Sequence, residues 1–114
     1  MIKLIVCGGR DYADKEKVFA TLDKIAQAKG DVFVIQGGMT GADKLAADWA
    51  ASRGFPCAEV QALWDYFGKA AGPKRNLWIT MLGPQGVVKF PGGVGTASMA
   101  AIARDLGLPV MEIE

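Results

Sequence analysis

Three glycine-rich segments and a few charged residues are where this chain could do chemistry. The segments read Cys7-Gly8-Gly9-Arg10-Asp11, Gln36-Gly37-Gly38-Met39-Thr40-Gly41-Ala42-Asp43 and Phe90-Pro91-Gly92-Gly93-Val94-Gly95-Thr96. Each closes an apolar run and precedes a stretch of helical pattern. Glycine lets backbone N–H groups approach an anion, and a helix behind the turn adds unpaired N–H groups and its positive dipole end. Glycine also makes tight corners, so one such turn says little. Three on the same kind of junction point to a phosphate-bearing ligand. The cations available to it are Arg10, Lys69, Lys74 and Arg75, arginine being the natural bidentate partner of phosphate. Lys69 and Lys74 read equally well as solvated surface charge. Arg75 opens a helix, where a cation opposes the dipole and needs another reason to be there.

The carboxylates are ambiguous. Asp43, near the start of a helix, stabilises that N-terminus unaided and could equally accept hydrogen bonds from a ribose. Asp11 and Asp65 are turn residues or, with Arg75, weak catalytic candidates. Trp64, Tyr66 and Phe67 could form a base-stacking platform, whereas Trp49 and Trp78 fall on apolar helical faces and belong to the core. The chain has no histidine, which removes imidazole bases and His-ligated metals. Cys7 and Cys57 lack any paired-cysteine spacing, so no metal is expected and both read as buried thiols in a reducing cytoplasm. No cofactor motif is present: Gly8-Gly9-Arg10 lacks the dinucleotide spacing, and there is no P-loop.

Apolar runs alternating with helical periodicity must position these residues. Strands are expected over about Ile2–Cys7, Val32–Gln36, Cys57–Val60, Gly86–Phe90 and Pro109–Ile113. Helices are expected from Asp14 as N-cap to Gly30, from Thr40 as N-cap to Gly54, from Pro73 to about Leu82, and from Thr96 to Gly107. Ala62–Pro73 has no clean period and reads as a long functional loop. Continuous Val/Ile runs suit strands buried on both faces. The expected fold is one α/β domain over residues 1–114: a minimal Rossmann-like, doubly wound parallel sheet of about five strands with helices on both faces. Ligands of such sheets sit beyond the carboxyl ends of the strands, where the strand order reverses.

Composition narrows the partners. Hydrophobic residues make up 51% and charged residues 22% of 114, which is globular, and the apolar share favours a homodimer or larger homo-oligomer. Net charge is +1, without the basic field that nonspecific nucleic-acid binding needs. No apolar stretch approaches a membrane span. A single-stranded DNA-binding module is therefore the weaker alternative.

Gly8-Gly9-Arg10-Asp11, Gly37-Gly38-Met39-Thr40-Gly41-Ala42-Asp43, Gly72-Pro73-Lys74-Arg75-Asn76 and Phe90-Pro91-Gly92-Gly93-Val94-Gly95-Thr96 occur here in order. Together they resemble the SLOG superfamily, and within it the small YspA-type branch of bacteria and phages. That superfamily includes the lonely-guy phosphoribohydrolases and the DNA-processing protein A group. The resemblance implies a Rossmann-like fold and a nucleotide-derived ligand such as a nucleotide, ADP-ribose or an NAD derivative. It brings in Asn76 and Pro91 beside the glycines as ligand-binding candidates. Lonely-guy enzymes follow Pro-Gly-Gly-x-Gly-Thr with a catalytic glutamate; here those positions hold Ser98 and Met99. N-glycosidic cleavage through an oxocarbenium-like transition state wants a carboxylate there. The expectation is a sensor or processing domain that binds the ligand, with an N-glycosidase as the alternative.

Overall fold

The apolar runs pair edge to edge. In the computed structural model, which describes residues 1–114, β1 (Ile2–Cys7), β2 (Val32–Gln36), β3 (Cys57–Glu59), β4 (Gly86–Lys89) and β5 (Val110–Glu112) form one sheet in the order β3-β2-β1-β4-β5. Every pairing is parallel, and Ile5 is in register with Ile35 on one side and Val87 on the other. The chain steps outward from β1 to β3, then returns to place β4 beside β1. The order therefore reverses between β1 and β4, which opens a crevice at their carboxyl ends.

Five helices connect the strands: α1 (Lys15–Lys29), α2 (Ala42–Arg53), α3 (Trp64–Phe67), α4 (Ala71–Thr80) and α5 (Val94–Asp105). Successive side chains of a strand point to opposite faces, so the sheet builds two cores. Leu4, Val6, Val34, Val88 and Phe90 meet Val18 and Leu22 of α1 and Ala46, Trp49 and Ala50 of α2. Ile5, Cys7, Ile35 and Val87 meet Ile79 of α4 and Met99 and Ala103 of α5. Trp49 is fully buried, and its indole N–H donates to Asp23 Oδ1 at 2.8 Å, tying α2 to α1.

Several boundaries depart from expectation for local reasons. Asp14 caps α1, its Oδ1 accepting from Lys17 N at 3.0 Å. Thr40 does not cap α2: its hydroxyl donates to Arg10 O at 3.1 Å, and Gly41 is the cap residue. Ala62–Pro73 is not one loop. It holds α3, a 3-10 turn over Gly68–Ala70 and the start of α4, elements too short to display a period. Pro73 is the third residue of α4, where its missing N–H costs nothing. α5 opens at Val94, so Thr96 lies inside it and is buried. Trp78 is only half-buried, edge-on to Phe67 at 6.0 Å. Cys57 is exposed because β3 is a sheet edge, whereas Cys7 on the central strand is buried. No helix is long and apolar enough to cross a membrane.

Candidate functional site

Parallel strands deliver their following turns to one edge, and the turns after β1 and β4 are laced together there. Phe90 N donates to Cys7 O at 2.9 Å and Gly9 N to Pro91 O at 2.8 Å. Beside them lies a cleft of about 910 Å³, walled by both turns, by α4 and by the first turn of α5. It collects Gly8, Gly9, Arg10, Asp11, Gly37, Asp43, Lys69, Arg75, Asn76, Pro91, Gly92, Gly93, Gly95 and Thr96 from the sequence candidates.

Other candidates lie outside it. A Cβ on Gly38 would sit 2.9 Å from Glu59 Cγ, so that glycine serves the packing of the second turn on β3. Gly41 has φ +76°, and a Cβ there would collide with the carbonyl oxygens of Gly9 and Arg10. Thr40 is spent on Arg10 O, Lys74 lies over the Phe67 ring at 4.9 Å, and Asp65, Tyr66 and Phe67 are not cleft-lining. Of the expected aromatic platform only Trp64 lines the cleft. Tyr12, Met39, Gly72 and Ser98 also line it. Tyr12 adjoins the sequence motifs and Met39 and Gly72 lie within them, which is the signal that could have found them.

The floor holds a buried ion. Arg75 is 8% exposed; its Nη1 donates to Gly37 O at 2.8 Å and its Nε to Asn76 Oδ1 at 2.9 Å. Nη2 has no hydrogen-bond partner within the chain. Asn76 Nδ2 in turn donates to Gly95 O at 3.3 Å, which joins the arginine to the first turn of α5. Burial lowers the Arg75 pKa from its ordinary value, while the charge of Asp43 raises it. A guanidinium keeps its proton at neutral pH against such a pull. Arg75 is therefore a desolvated cation with an open donor at a cavity.

Asp43 has a different job from the one its helix position suggested. It is 6% exposed, and Oδ2 accepts from Gly37 N at 3.1 Å and Met39 N at 3.2 Å. It folds the second glycine turn back onto α2. Burial pushes its carboxyl up, opposed by the two backbone donors and Arg75. Cys7 is pushed up to about 12 by burial and by Asp43. A neutral thiol there is no nucleophile.

The glycines divide by what surrounds them. A Cβ on Gly8 would lie 2.5 Å from Ala42 Cβ, one on Gly92 would strike the Thr96 side chain, and one on Gly37 would strike the Arg75 guanidinium. Beside Gly93 and Gly95 a Cβ would meet nothing within 4 Å. No side chain caps α5, so its first-turn N–H groups are left for whatever enters the cleft.

A five-stranded parallel sheet with this order reversal and helices on both faces defines a small Rossmann-like α/β domain. The chain belongs to the YspA, cpYpsA-related SLOG family, whose model matches residues 2–67. It is 31% identical over 119 residues to the Gene 61 protein of Mycobacterium phage D29, an alignment spanning 97% of this chain and 95% of that one. Among solved structures it is similar to TM1055, with a TM-score of 0.72, 20% identity, and coverage of 96% of this chain and 72% of that one. It is also similar to DNA processing protein A (DprA) from Streptococcus pneumoniae, with a TM-score of 0.76 and 20% identity, across all of this chain and 50% of that one. At such identity the two structures share the fold.

Proposed function

We propose that this domain binds a small phosphorylated nucleoside-type ligand, such as a nucleotide, ADP-ribose or an NAD derivative, in the cleft between the β1 and β4 turns. The observation that carries the reading is the buried Arg75, whose unpaired Nη2 shares a cavity with the uncapped first turn of α5. A desolvated guanidinium beside free N–H groups is complementary to a phosphoryl group. Open space at Gly93 and Gly95 supports the same reading, because the ligand would come close to bare backbone.

Binding is favoured over turnover. Asp43 is held by two backbone donors, and Asp65 does not line the cleft, which leaves Asp11 as the free carboxylate there. Ser98 lines the cleft close to where lonely-guy enzymes carry their glutamate. The DNA-binding alternative lacks support from the surface, since the net charge is +1. The two free thiols suit a reducing cytoplasm. Self-association belongs to the exposed apolar residues at the end of α4, Leu77 and Met81.

The test is calorimetric titration of the full chain with nucleotides, ADP-ribose, NAD and ribose 5-phosphate, with product analysis by mass spectrometry. Saturable binding that Arg75→Ala weakens supports the proposal. An absence of binding by every phosphorylated compound, or rapid release of free base, overturns it.

A further inference from the structure

Resting on the reading above, we infer that Trp64 is the specificity-determining residue of the cleft, selecting a ligand with a planar base and holding that base at the mouth while the phosphate lies at the floor. A Cβ on Gly72 would lie 3.1 Å from Trp64 Cη2, with Cζ3 and Cζ2 nearly equidistant behind it at 3.8 and 3.9 Å. The far edge of the six-membered ring is thus the part of the indole nearest Gly72, and the ring is not stacked face-on over it. Trp64 is 44% exposed although it lines the cleft.

Position along α4 supplies the orientation. Gly72, Arg75, Asn76 and Ile79 are spaced at three, four and seven residues and are all buried, so they form one face of the helix. Gly72 carries the tryptophan tip and Arg75 carries the unpaired donor. At 1.5 Å per residue their backbones are separated by roughly 4.5 Å along the axis, just under one helical turn. An aromatic plane and a buried guanidinium one turn apart suit a molecule whose base and first phosphate are joined by a single sugar. An inorganic anion or a bare sugar phosphate would use the floor and leave the indole idle. The aromatics next to it in the chain do not compete for the role: Tyr66 packs on Phe67 at 4.7 Å, and Phe67 on Trp78 at 6.0 Å, all three outside the cleft, while Tyr12, which does line it, packs on Phe90 at 5.4 Å. Glycine at position 72 fits this arrangement, because a Cβ there would crowd the ring and make it give by a few tenths of an ångström.

The experiment is calorimetric titration of the full chain with adenosine monophosphate, ribose 5-phosphate and inorganic phosphate, using the natural protein, Trp64→Ala, Trp64→Phe, Gly72→Ala and Arg75→Ala. Base–aromatic stacking predicts that the nucleotide binds about five- to hundredfold tighter than ribose 5-phosphate. Trp64→Ala should erase that advantage and leave ribose 5-phosphate unchanged, Trp64→Phe should keep most of it, and Gly72→Ala should reduce it. Nucleotide should also quench tryptophan emission in the natural protein and not in Trp64→Phe, which retains Trp49 and Trp78. Equal binding of nucleotide and ribose 5-phosphate, both weakened by Arg75→Ala, overturns the role of Trp64 and leaves the phosphate cleft standing. Equal losses for all three ligands in Trp64→Ala make the residue merely structural and overturn it too. If none of the three binds, the role of Trp64 falls, and the phosphate cleft falls with it only if ADP-ribose and NAD also fail to bind.

Discussion

Gly41 and Gly95 belong to the same kind of turn in sequence and do opposite work in the structure. Gly41 is enclosed by the backbone of Gly9 and Arg10 and has φ +76°, a conformation that side-chain-bearing residues rarely adopt. Gly95 lies in the first turn of α5 with ordinary helical backbone and empty space where its Cβ would be. The first glycine exists because protein fills the space. Nothing in the protein explains the second. In a helix glycine costs about 1 kcal/mol relative to alanine, so its presence at an exposed helical position needs a cause outside the fold. The β1 and β2 turns are thus largely self-packed, and the β4 turn is the open part of the cleft.

Gly41→Val should have the largest effect. Backbone strain and overpacking together cost about 3 kcal/mol or more, a large fraction of the stability of a small domain. Urea denaturation should show a midpoint collapsed toward zero or an unfolded chain. A variant as stable as the natural protein would mean that the packed turn is not packed. Gly95→Ala should do the reverse, raising stability by about 0.5–1 kcal/mol in the same assay. It should nonetheless weaken ligand binding, and Gly95→Val should abolish it with the fold retained. Undiminished binding by Gly95→Val would remove the open turn from the site.

This division marks what the sequence can and cannot convey. Alternation of apolar runs with helical periods was enough for the five strands, the parallel sheet and the edge where the turns gather, because those follow from burial and connection rules. Glycine spacing alone does not separate Gly41 from Gly95, since whether a Cβ has room depends on loops brought together from distant positions. Asp43 illustrates the same limit. Its place in the first turn of α2 is legible, but its partners, the N–H groups of Gly37 and Met39, depend on how the preceding turn folds back. Arg75 was legible as a misplaced cation, whereas its burial required knowing that α4 turns that face toward Gly37. The short elements in Ala62–Pro73 were hidden because four residues of helix carry no period.

Arg75 is where the open and packed regions join, and its removal sharpens the contrast by an intermediate amount. Arg75→Ala should weaken phosphate-ligand binding by about 1.5–3 kcal/mol, the range of a charge-assisted hydrogen bond. Arg75→Lys should recover only part, having a point charge without the guanidinium fork. Calorimetry measures both, and full affinity in Arg75→Ala would exclude the arginine from the site. A smaller effect is expected for chemistry. Ser98→Glu places a carboxylate beside the open turn, and should raise nucleoside monophosphate cleavage above a slow or absent background. Free-base release that is already fast in the natural protein would contradict this.

The smallest expected effect concerns the outer side of α4, opposite the face that carries Arg75. Leu77 of α4 is 47% exposed, and Met81 and Leu82, which follow the helix's last residue Thr80, are 71% and 41% exposed. Contiguous apolar exposure of this kind marks an interaction surface more often than scattered single residues do. Covering one such half-exposed side chain in a second copy would contribute about 1 kcal/mol, so the association should be weak and concentration-dependent. Sedimentation should find dimer at high micromolar protein, and Met81→Glu should shift it toward monomer without altering ligand affinity, because Met81 lies outside the cleft. If Met81→Glu lowers ligand affinity along with the dimer, the two faces of α4 are coupled, and the open turn would then be completed by a second copy. A monodisperse monomer in the natural protein at that concentration would instead leave this face unpaired, with the excess of apolar residues unexplained.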